Sequence, residues 1–360
     1  MAPRVWILAA RRAGDNNPLF ALANALGWPY ETKRFVYRPT ELASNLTFDA
    51  TLLGRSTARS SRVGPPWPDL VISGDRPGEP IARWIRQRAT RRVKLVHVGR
   101  PWRDVDRFDL VVVTPEYRVP AGERVVQNPL PMHELTRARL ETAAGAWRSR
   151  LALLPRPRIA LLVGGNSELF TFDVAAAVRL ARAVSAMARS AHGSLLVTTS
   201  ARTPIASANT LFSSIDVPSE NYRWHGHGAR DNPYLAFLAL ADEIVVTGDS
   251  IPMLADACAT GRPVHIFDPG RYAGGGSADF VAALRRRFRH LGVARLGRDL
   301  RRVHNELLAH GSAVILGDRL QKPPAAVRDY VGQTAARVRR LVAAEVSPIR
   351  ANLRPQARST

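Results

Sequence analysis

Residues 243–267 read EIVVTGDSIPMLADACATGRPVHIF, and the order of the apolar runs in this segment indicates the fold class. A short apolar run at 244–246 leads through the tripeptide 248–250 into nine residues with helical character, 251–259, and then into a second apolar run, 264–267. A strand, a helix and a second strand in this order are typical of a parallel sheet covered by helices.

The same alternation extends along the chain in both directions. Further strands are predicted at 5–10, 70–73, 94–98, 110–114, 159–163 and 194–198, with helices at 18–26, 79–90, 172–189, 233–241 and 326–344. We therefore predict an α/β fold with two Rossmann-like, doubly wound domains that face a cleft. A charged helical connector ends at Pro155-Arg156-Pro157, so the predicted domains are 1–150 and 151–321, followed by a C-terminal helix and frayed tail at 322–360.

Composition limits the classes of protein that this chain can represent. Of its 360 residues, 46% are hydrophobic and 23% are charged, which excludes disordered and collagen-like chains. The single cysteine, Cys258, allows no intrachain disulfide, and the apolar run at 5–10 is shorter than a signal-peptide core. We expect a cytoplasmic protein, with association to the inner face of a membrane left open.

The charge balance points to an anionic partner. The formal net charge is +22, and since only three of the 52 basic residues are lysines, 49 are arginines. Nucleic acid, anionic lipid and phosphorylated substrates are the three partner classes that such a surface attracts. A genome rich in arginine codons explains the same bias equally well.

Two loops after strands of the second domain carry residues that suit a phosphate. Gly164 and Gly165, followed by Asn166 and Ser167, let backbone amides approach an anion closely. The alternative is a tight strand-to-helix turn, because the spacing is neither G-x-G-x-x-G nor a Walker loop. The next such loop contains Thr199, Ser200 and Arg202, of which the arginine suits a bidentate phosphate contact and the hydroxyls equally suit helix capping.

The tripeptide Gly248-Asp249-Ser250 is the strongest candidate, because it precedes a helix whose N-terminal amides point toward the predicted cleft. Asp256 lies about two turns along that helix, where a carboxylate can bind vicinal hydroxyls; alone, it is equally compatible with a solvated position. These groups together suit a sugar nucleotide. We include in the predicted nucleotide-sugar site the residues that begin the same segment, Asn232 and Tyr234.

This segment resembles the acidic-residue/Ala-x-Ala-x-Gly-(Lys/Arg)-Pro-Val motif of nucleotide-sugar glycosyltransferases with the GT-B fold. The chain as a whole is similar to the bacterial branch of the mitochondrial-fission ELM-type family. The matching segments are 11–27, 68–74, 161–165, 194–204 and 232–267. The resemblance implies a GT-B-like glycosyltransferase in which Asp256 binds the nucleotide ribose, although glutamate is commoner at that position.

The first domain is then expected to hold the acceptor. Asp15 is our candidate general base for an acceptor hydroxyl, and the alternative is that Asp15 or Asn16 caps the following helix. Many family members carry histidine and glutamine where this chain has Asp15 and Pro18, which leaves the base assignment open. The other acceptor-side candidates lie after two strands, where surface solvation is the alternative for each arginine: Gly74, Arg76, Gly99 and Arg100.

We predict no metal and no cofactor. Asp104 and Asp106 form a D-x-D pattern, but they precede a strand and do not close a nucleotide site. His225 and His227 lack a third ligand at a zinc spacing.

The first hypothesis is a metal-independent transferase that moves a sugar from a nucleotide-sugar donor to a lipid-linked or anionic acceptor. The second is a non-catalytic membrane-surface adaptor, held by the basic helix that carries Trp84 and by the basic run 285–289. Nucleic acid is not favoured as a partner, because no nucleic-acid-binding motif accompanies the arginines. Turnover of a sugar nucleotide separates the first two hypotheses.

Overall fold

A computed structural model describes residues 2–11, 13–38, 50–102, 104–167, 170–226, 231–268, 298–318 and 329–343. The chain forms two compact units. The first consists of Met1–Glu134 together with Asp329–Thr360, and the second of Leu135–Arg328.

In the first unit, six parallel strands form one sheet in the order β2-β1-β3-β4-β5-β6. Its elements in the chain up to Glu134 are β1 (Val5–Leu8), α1 (Ala13–Leu26), β2 (Tyr30–Lys33), β3 (Leu70–Ser73), α2 (Gly78–Arg88), β4 (Lys94–Val98), β5 (Leu110–Val113) and β6 (Val125–Gln127), with 3₁₀ turns at Thr57–Arg59, Val105–Arg107 and Pro115–Tyr117.

The second unit also contains six parallel strands, in the order β12-β11-β10-β7-β8-β9. Its elements are α3 (Arg137–Trp147), β7 (Arg158–Val163), α4 (Val174–Ser190), β8 (Ser194–Thr199), α5 (Ile205–Ser214), β9 (Ser219–Tyr222), α6 (Tyr234–Leu240), β10 (Glu243–Thr247), α7 (Ile251–Ala259), β11 (Val264–Phe267), α8 (Leu300–Ala309) and β12 (Val314–Ile315). The last of the described helices, α9 (Tyr330–Ala343), belongs to the first unit.

The central strands are buried along their whole length, as apolar runs in a parallel sheet must be when helices cover both faces. All six residues of β7 and all four of β3 are buried, whereas the edge strands β2 and β9 are half exposed. The predicted class, an α/β fold with two Rossmann-like domains, is confirmed.

The contacts divide the chain differently from the boundaries expected at 150 and 321. Helix α3 packs on α6 through the Trp147 and Phe237 rings, whose centroids are 5.8 Å apart, so it belongs to the second unit. Helix α9 packs on α1, and its Tyr330 hydroxyl donates to the Pro131 carbonyl at 3.0 Å. An amphipathic pattern shows that a helix buries one face, but not which neighbour covers it.

Each sheet has one place where the strand order reverses, and the chain leaves two neighbouring strands toward opposite sides. In the first unit this switch point lies between β1 and β3, and in the second it lies between β7 and β10. Ligands of open α/β sheets bind at the carboxyl ends of the strands at such points. The predicted site residues that follow these strands therefore lie where the topology favours binding.

Candidate functional site

Three backbone N–H groups of the loop after β7 donate hydrogen bonds to acceptors within the protein. Gly164 N–H donates to Thr247 Oγ1 at 2.8 Å, Asn166 N–H to the Arg202 carbonyl at 3.0 Å, and Ser167 N–H to the Phe170 carbonyl at 2.9 Å. We expected this loop to offer its amides to a diphosphate. For these three amides the expectation is corrected, because each already has an acceptor.

Both glycines of that loop are required by close packing. A Cβ at Gly164 would overlap with the Asp249 carboxylate, and one at Gly165, where φ is +125°, would overlap with the Arg202 backbone. Glycine is used here because neighbouring groups approach its backbone closely. A larger residue at either position would therefore perturb the fold as well as a binding site.

The two charges of the site are paired with each other. Arg202 Nη2 lies 2.8 Å from Asp249 Oδ2, and Arg202 Nη1 donates to the Asn166 carbonyl at 2.9 Å. The Asp249 side chain is 1% exposed and that of Arg202 is 41% exposed, so the carboxylate lies beneath the guanidinium.

Burial raises the pKa of Asp249. The Arg202 guanidinium, the Thr247 hydroxyl and the Gly165 N–H oppose this change, without reversing it. Neither carboxylate oxygen accepts a well-aligned hydrogen bond in the described part of the chain. A buried carboxylate with so few aligned donors is poorly compensated for its lost hydration.

The hydroxyls after β8 hold loops together. The Ser200 hydroxyl donates to the Gly164 carbonyl, Thr203 Oγ1 donates to the same carbonyl at 2.9 Å, and Thr199 Oγ1 accepts the Trp224 N–H at 3.0 Å. Of the predicted phosphate contacts in this segment, the hydroxyls of Thr199 and Ser200 are thus already hydrogen-bonded, whereas the Arg202 side chain is 41% exposed. Ser200 and Thr199 position the loops from which it extends.

The N-terminus of α7 keeps donors that the protein itself does not use. Ser250 occupies the N-cap position, but its side chain makes no capping bond. Within the described part of the chain, neither its hydroxyl nor the N–H groups of Asp249 and Ile251 donate a hydrogen bond, and Pro252 has no N–H. Unused donors at the positive end of a helix, next to a cation, are groups that bind anions in proteins.

The backbone N–H and carbonyl of Gly248, in the same turn, already have partners within the protein. Gly248 N–H donates to the Phe267 carbonyl at 2.9 Å, and the Gly248 carbonyl lies 2.8 Å from His304 Nε2. Burial lowers the pKa of His304, which favours the neutral ring. Thr247 and His304 were not among the predicted site residues, since no sequence pattern connects a threonine within a strand or a distant histidine to this turn.

Asp256 is held by a tyrosine. The Tyr234 hydroxyl donates to Asp256 Oδ2 at 2.8 Å. Burial raises the pKa of Asp256 to about 6, against the opposing effects of Tyr234 and the Arg139 charge. Asn232 Oδ1 accepts the N–H of Tyr234 at 3.0 Å and so starts α6. The structure thus connects three predicted site residues, and the tyrosine already satisfies one oxygen of the proposed ribose ligand.

At the switch point of the first unit, polar side chains mostly bind backbone. Asp75 accepts the N–H of Arg11 at 3.0 Å and that of Gly78 at 2.9 Å, which caps α2. The Asn16 amide forms two hydrogen bonds with the backbone of Ala10, at 2.7 and 3.0 Å. Asp15 is exposed in the first turn of α1, which begins at Ala13 and not at the expected position 18.

The remaining acceptor-side candidates follow β3 and β4. Gly74 faces Leu19, and Gly99 adopts a φ of +98°. The guanidinium of Arg76 lies 5.0 Å from the centre of the Trp102 ring, and Arg100 Nη1 donates to the Tyr117 carbonyl at 3.0 Å. Each arginine side chain is therefore held by a contact within the protein, in addition to any contact with solvent.

Beneath these loops lies a buried polar network that the sequence did not reveal. Ser73 Oγ and His97 Nδ1 are 3.0 Å apart, and Glu79 Oε1 accepts the Trp102 N–H at 2.6 Å. Burial, reinforced by the Arg83 charge, lowers the pKa of His97 to about 3. The ring is therefore neutral at physiological pH and supports the loops after β3 and β4.

The histidine pair that we set aside as a metal site, and the basic segments of the adaptor hypothesis, lie partly outside the described residues. In the described part of the chain, no three His, Cys, Asp or Glu side chains cluster as metal ligands, and His227 lies outside it. The basic run 285–289 also lies outside the described residues. Trp84 is half buried and packs on the Trp67 ring at 6.2 Å, so α2 directs its apolar residues into the unit. No helix among the described residues has the length and apolar character to cross a bilayer.

A family model described as Mitochondrial fission ELM1 matches residues 13–310. The Mitochondrial fission protein ELM1 of Arabidopsis thaliana is 28% identical over 222 residues, which are 55% of this chain and 51% of that protein. The chain thus spans about half the length of this relative. The protein RP120 of Rickettsia prowazekii is 21% identical over 299 residues, which are 74% of this chain and 84% of that protein.

Among solved structures, Os79 from O. sativa in complex with UDP has a TM-score of 0.48 at 12% identity. The match covers 92% of this chain and 99% of that chain.

Proposed function

This chain belongs to the mitochondrial fission ELM1 family, as its motifs indicate, and from that premise we propose that it is a glycosyltransferase. It binds a nucleotide-sugar donor at the β7/β10 switch point and transfers the sugar, without a metal, to a lipid-linked or anionic acceptor. The observation that carries the proposal is the set of unused donors at the N-terminus of α7, next to the guanidinium of Arg202.

These donors suit the charge that develops in the reaction. When the bond between sugar and diphosphate breaks, negative charge grows on the leaving phosphate. A helix N-terminus and a cation stabilise that charge, as a metal ion does in other enzymes. Ser250 and Arg202 are the proposed phosphate ligands, and Asp256 the proposed ribose ligand. The surrounding glycines and hydroxyl residues position these phosphate and ribose ligands: Gly164, Gly165, Ser167, Thr199, Ser200 and Gly248.

The acceptor side is proposed for the first unit. Asp15 would take the proton of the attacking hydroxyl, because it is an exposed carboxylate that follows a central strand. Arg76 and Arg100 would attract an anionic acceptor, near Asn16, Gly74 and Gly99. An Asp15→Asn variant should then retain donor binding and lose turnover.

The donor site is tested by thermal unfolding with UDP-glucose, ADP-glucose and GDP-glucose. A ligand that binds only the folded protein raises the unfolding temperature, and we expect this for at least one of the three. Ser250→Ala should reduce the shift. Ser213→Ala, an exposed serine that bonds within α5, is the matched control and should preserve it. If none of the three sugar nucleotides stabilises the wild type, the proposed function is wrong.

A membrane-surface adaptor is the second candidate function. The net charge of +22 favours it, because each basic residue near an anionic surface adds about 1 kcal/mol of binding. It would place the protein in the cytoplasm, on the inner face of a membrane. Co-sedimentation with vesicles of phosphatidylcholine, with and without phosphatidylserine, measures this attraction. Binding to the anionic vesicles without release of nucleoside diphosphate from any of the three donors favours the adaptor.

A further inference from the structure

The proposed phosphate site, around Arg202 and the N-terminus of α7, already contains a carboxylate of the protein. The Asp249 carboxylate lies against the backbone of Gly164, in the space that a Cβ would fill, and is covered by Arg202. A glycine at a strand end usually admits a phosphate close to the backbone. Here it admits a carboxylate of the protein itself.

A bound diphosphate would compete with this carboxylate for one cation. Arg202 is the charged partner that contacts Asp249, and it is also the partly exposed cation next to the unused donors of α7. Two anions that share one guanidinium repel each other strongly where water is excluded. The carboxylate has little room to move away, because the Gly164 backbone lies directly against it.

We propose that Asp249 is a positioning residue that holds Arg202 in the ligand-free protein and takes up one proton when a nucleotide diphosphate binds Arg202. The proton comes from solvent, and no covalent bond changes. This inference rests on the proposed function, since it concerns the same site. The pKa of Asp249 is already raised in the ligand-free protein. A smaller further rise is therefore enough for the carboxylate to take up a proton when the ligand binds.

Other groups around Asp249 bear on the same measurement. Thr247 and Gly165 face it with neutral donors, and His304 lies behind Gly248, near the charges of Asp268, Asp299 and Arg301. Asp256 is a further acid of the same helix with a raised pKa. Protons taken up by His304 or Asp256 would persist when Asp249 is replaced, which separates them from the proposed effect.

The test is calorimetry of the sugar nucleotide that binds, chosen from UDP-glucose, ADP-glucose and GDP-glucose, in buffers of different ionisation enthalpy. Their diphosphates carry no terminal phosphate that titrates near pH 6. We expect wild type to take up close to one proton per ligand, and its affinity to fall by up to about tenfold per pH unit as the pH rises. Asp249→Asn should take up none and bind with little pH dependence, while His304→Gln should still take up close to one proton per ligand bound.

A ligand-free measurement examines the same charge pair. In Arg202→Gln the buried carboxylate loses its cation, which raises its pKa further. A carboxylate whose pKa is raised by folding destabilises the protein as the pH rises, so this variant should lose stability relative to wild type over the pH interval above the ordinary carboxyl value of 3.8. The double variant Arg202→Gln/Asp249→Asn should lose less over that interval.

The outcomes separate the two proposals. Binding of a sugar nucleotide with no proton uptake, or with the same uptake in Asp249→Asn, overturns the role of Asp249 and leaves the donor site intact. If none of the three donors binds to wild type or to Asp249→Asn at any pH, the proposed function and this inference both fall. If Arg202→Gln and the double variant share one pH profile of stability, the coupling of the two charges is disproved.

Discussion

The two switch points of this protein contain the same dipeptide in different roles. In each, a glycine and an aspartate follow a switch strand: Gly74-Asp75 after β3, and Gly248-Asp249 after β10. Asp75 accepts two backbone N–H groups, at 3.0 and 2.9 Å, and fixes a turn. Asp249 meets a glycine backbone and an arginine. The same dipeptide therefore has two roles. An aspartate that faces backbone N–H groups caps a helix, and one that faces an arginine forms a buried ion pair.

Both units contain buried ionisable groups with shifted pKa values. In the first unit the pKa of His97 is lowered; in the second the pKa of His304 is lowered and those of two acids, Asp249 and Asp256, are raised. All four groups are shifted toward the neutral form because burial penalises charge. Lowering the pH should therefore weaken the first unit through His97, and raising the pH from acid toward neutral should weaken the second unit through its two acids.

The largest effect is expected from an added methyl group at the second switch point. Gly165→Ala should lower the free energy of unfolding by about 4 kcal/mol, from an unfavourable φ together with overlap on the Arg202 backbone. Gly74→Ala should cost less, about 1–2 kcal/mol, because its new Cβ meets the end of the Leu19 side chain and not the backbone. Urea unfolding measures both, and equal losses would mean that the two turns are packed alike.

The next effect is the acid sensitivity of the first unit. His97 binds a proton at an ordinary value of 6.5 when unfolded, but only near pH 3 when folded. Stability should therefore fall below pH 6.5 by up to about 1.4 kcal/mol per pH unit. NMR titration should find the ring neutral at pH 5, and His97→Asn should flatten the acid limb of stability. A ring that titrates near pH 6.5 would contradict this account.

A smaller effect with the opposite sign is expected for Asp256. Its pKa rises from 3.8 in the unfolded chain to about 6 in the folded protein. The stability due to the neutral form is complete below pH 3.8 and is lost as the pH rises through 6, by about 3 kcal/mol. Asp256→Asn keeps an acceptor for Tyr234 and should remove this slope from the thermal unfolding midpoints. An unchanged slope would assign it to another group.

The smallest effect compares one arginine from each switch point. Arg202→Ala should weaken binding of the sugar nucleotide about tenfold, since one partly exposed charge-assisted contact is lost. Arg76→Ala removes the same charge from the first unit and should change the affinity by less than about twofold. Calorimetry at constant ionic strength measures both. Equal losses would mean that overall charge, and not the site, attracts the ligand.

The sequence predicted the centre of each sheet well and its edges poorly. The predicted strands at 70–73, 94–98 and 264–267 have the observed bounds, because continuous apolar runs are required where both faces are covered. The edge strands β2, β6, β9 and β12 were not predicted, since half-exposed strands such as Tyr-Glu-Thr-Lys carry no apolar run. Pairing with a neighbour creates those strands, and no local pattern records that neighbour.

The candidate site was predicted in its location but not in its contacts. Strand ends and glycines identified the turns at 164–165 and 248–250. The sequence did not indicate that Thr247 uses the Gly164 amide, that Asp249 lies on Gly164, or that Tyr234 holds Asp256. Each of these contacts joins residues at least 22 positions apart, so only the arrangement of strands in the sheet brings them together.

The amino-acid sequence was sufficient to predict two parallel sheets covered by helices, with glycine, hydroxyl and arginine residues in the loops at the strand ends. It could do so because burial on both faces demands a periodicity that is visible residue by residue. Only the tertiary structure showed that the N-terminus of α7 keeps unused hydrogen-bond donors and that the Asp249 carboxylate is buried away from solvent. Hydrogen bonding and desolvation depend on the groups that meet across the sheet, and those groups are distant in the chain.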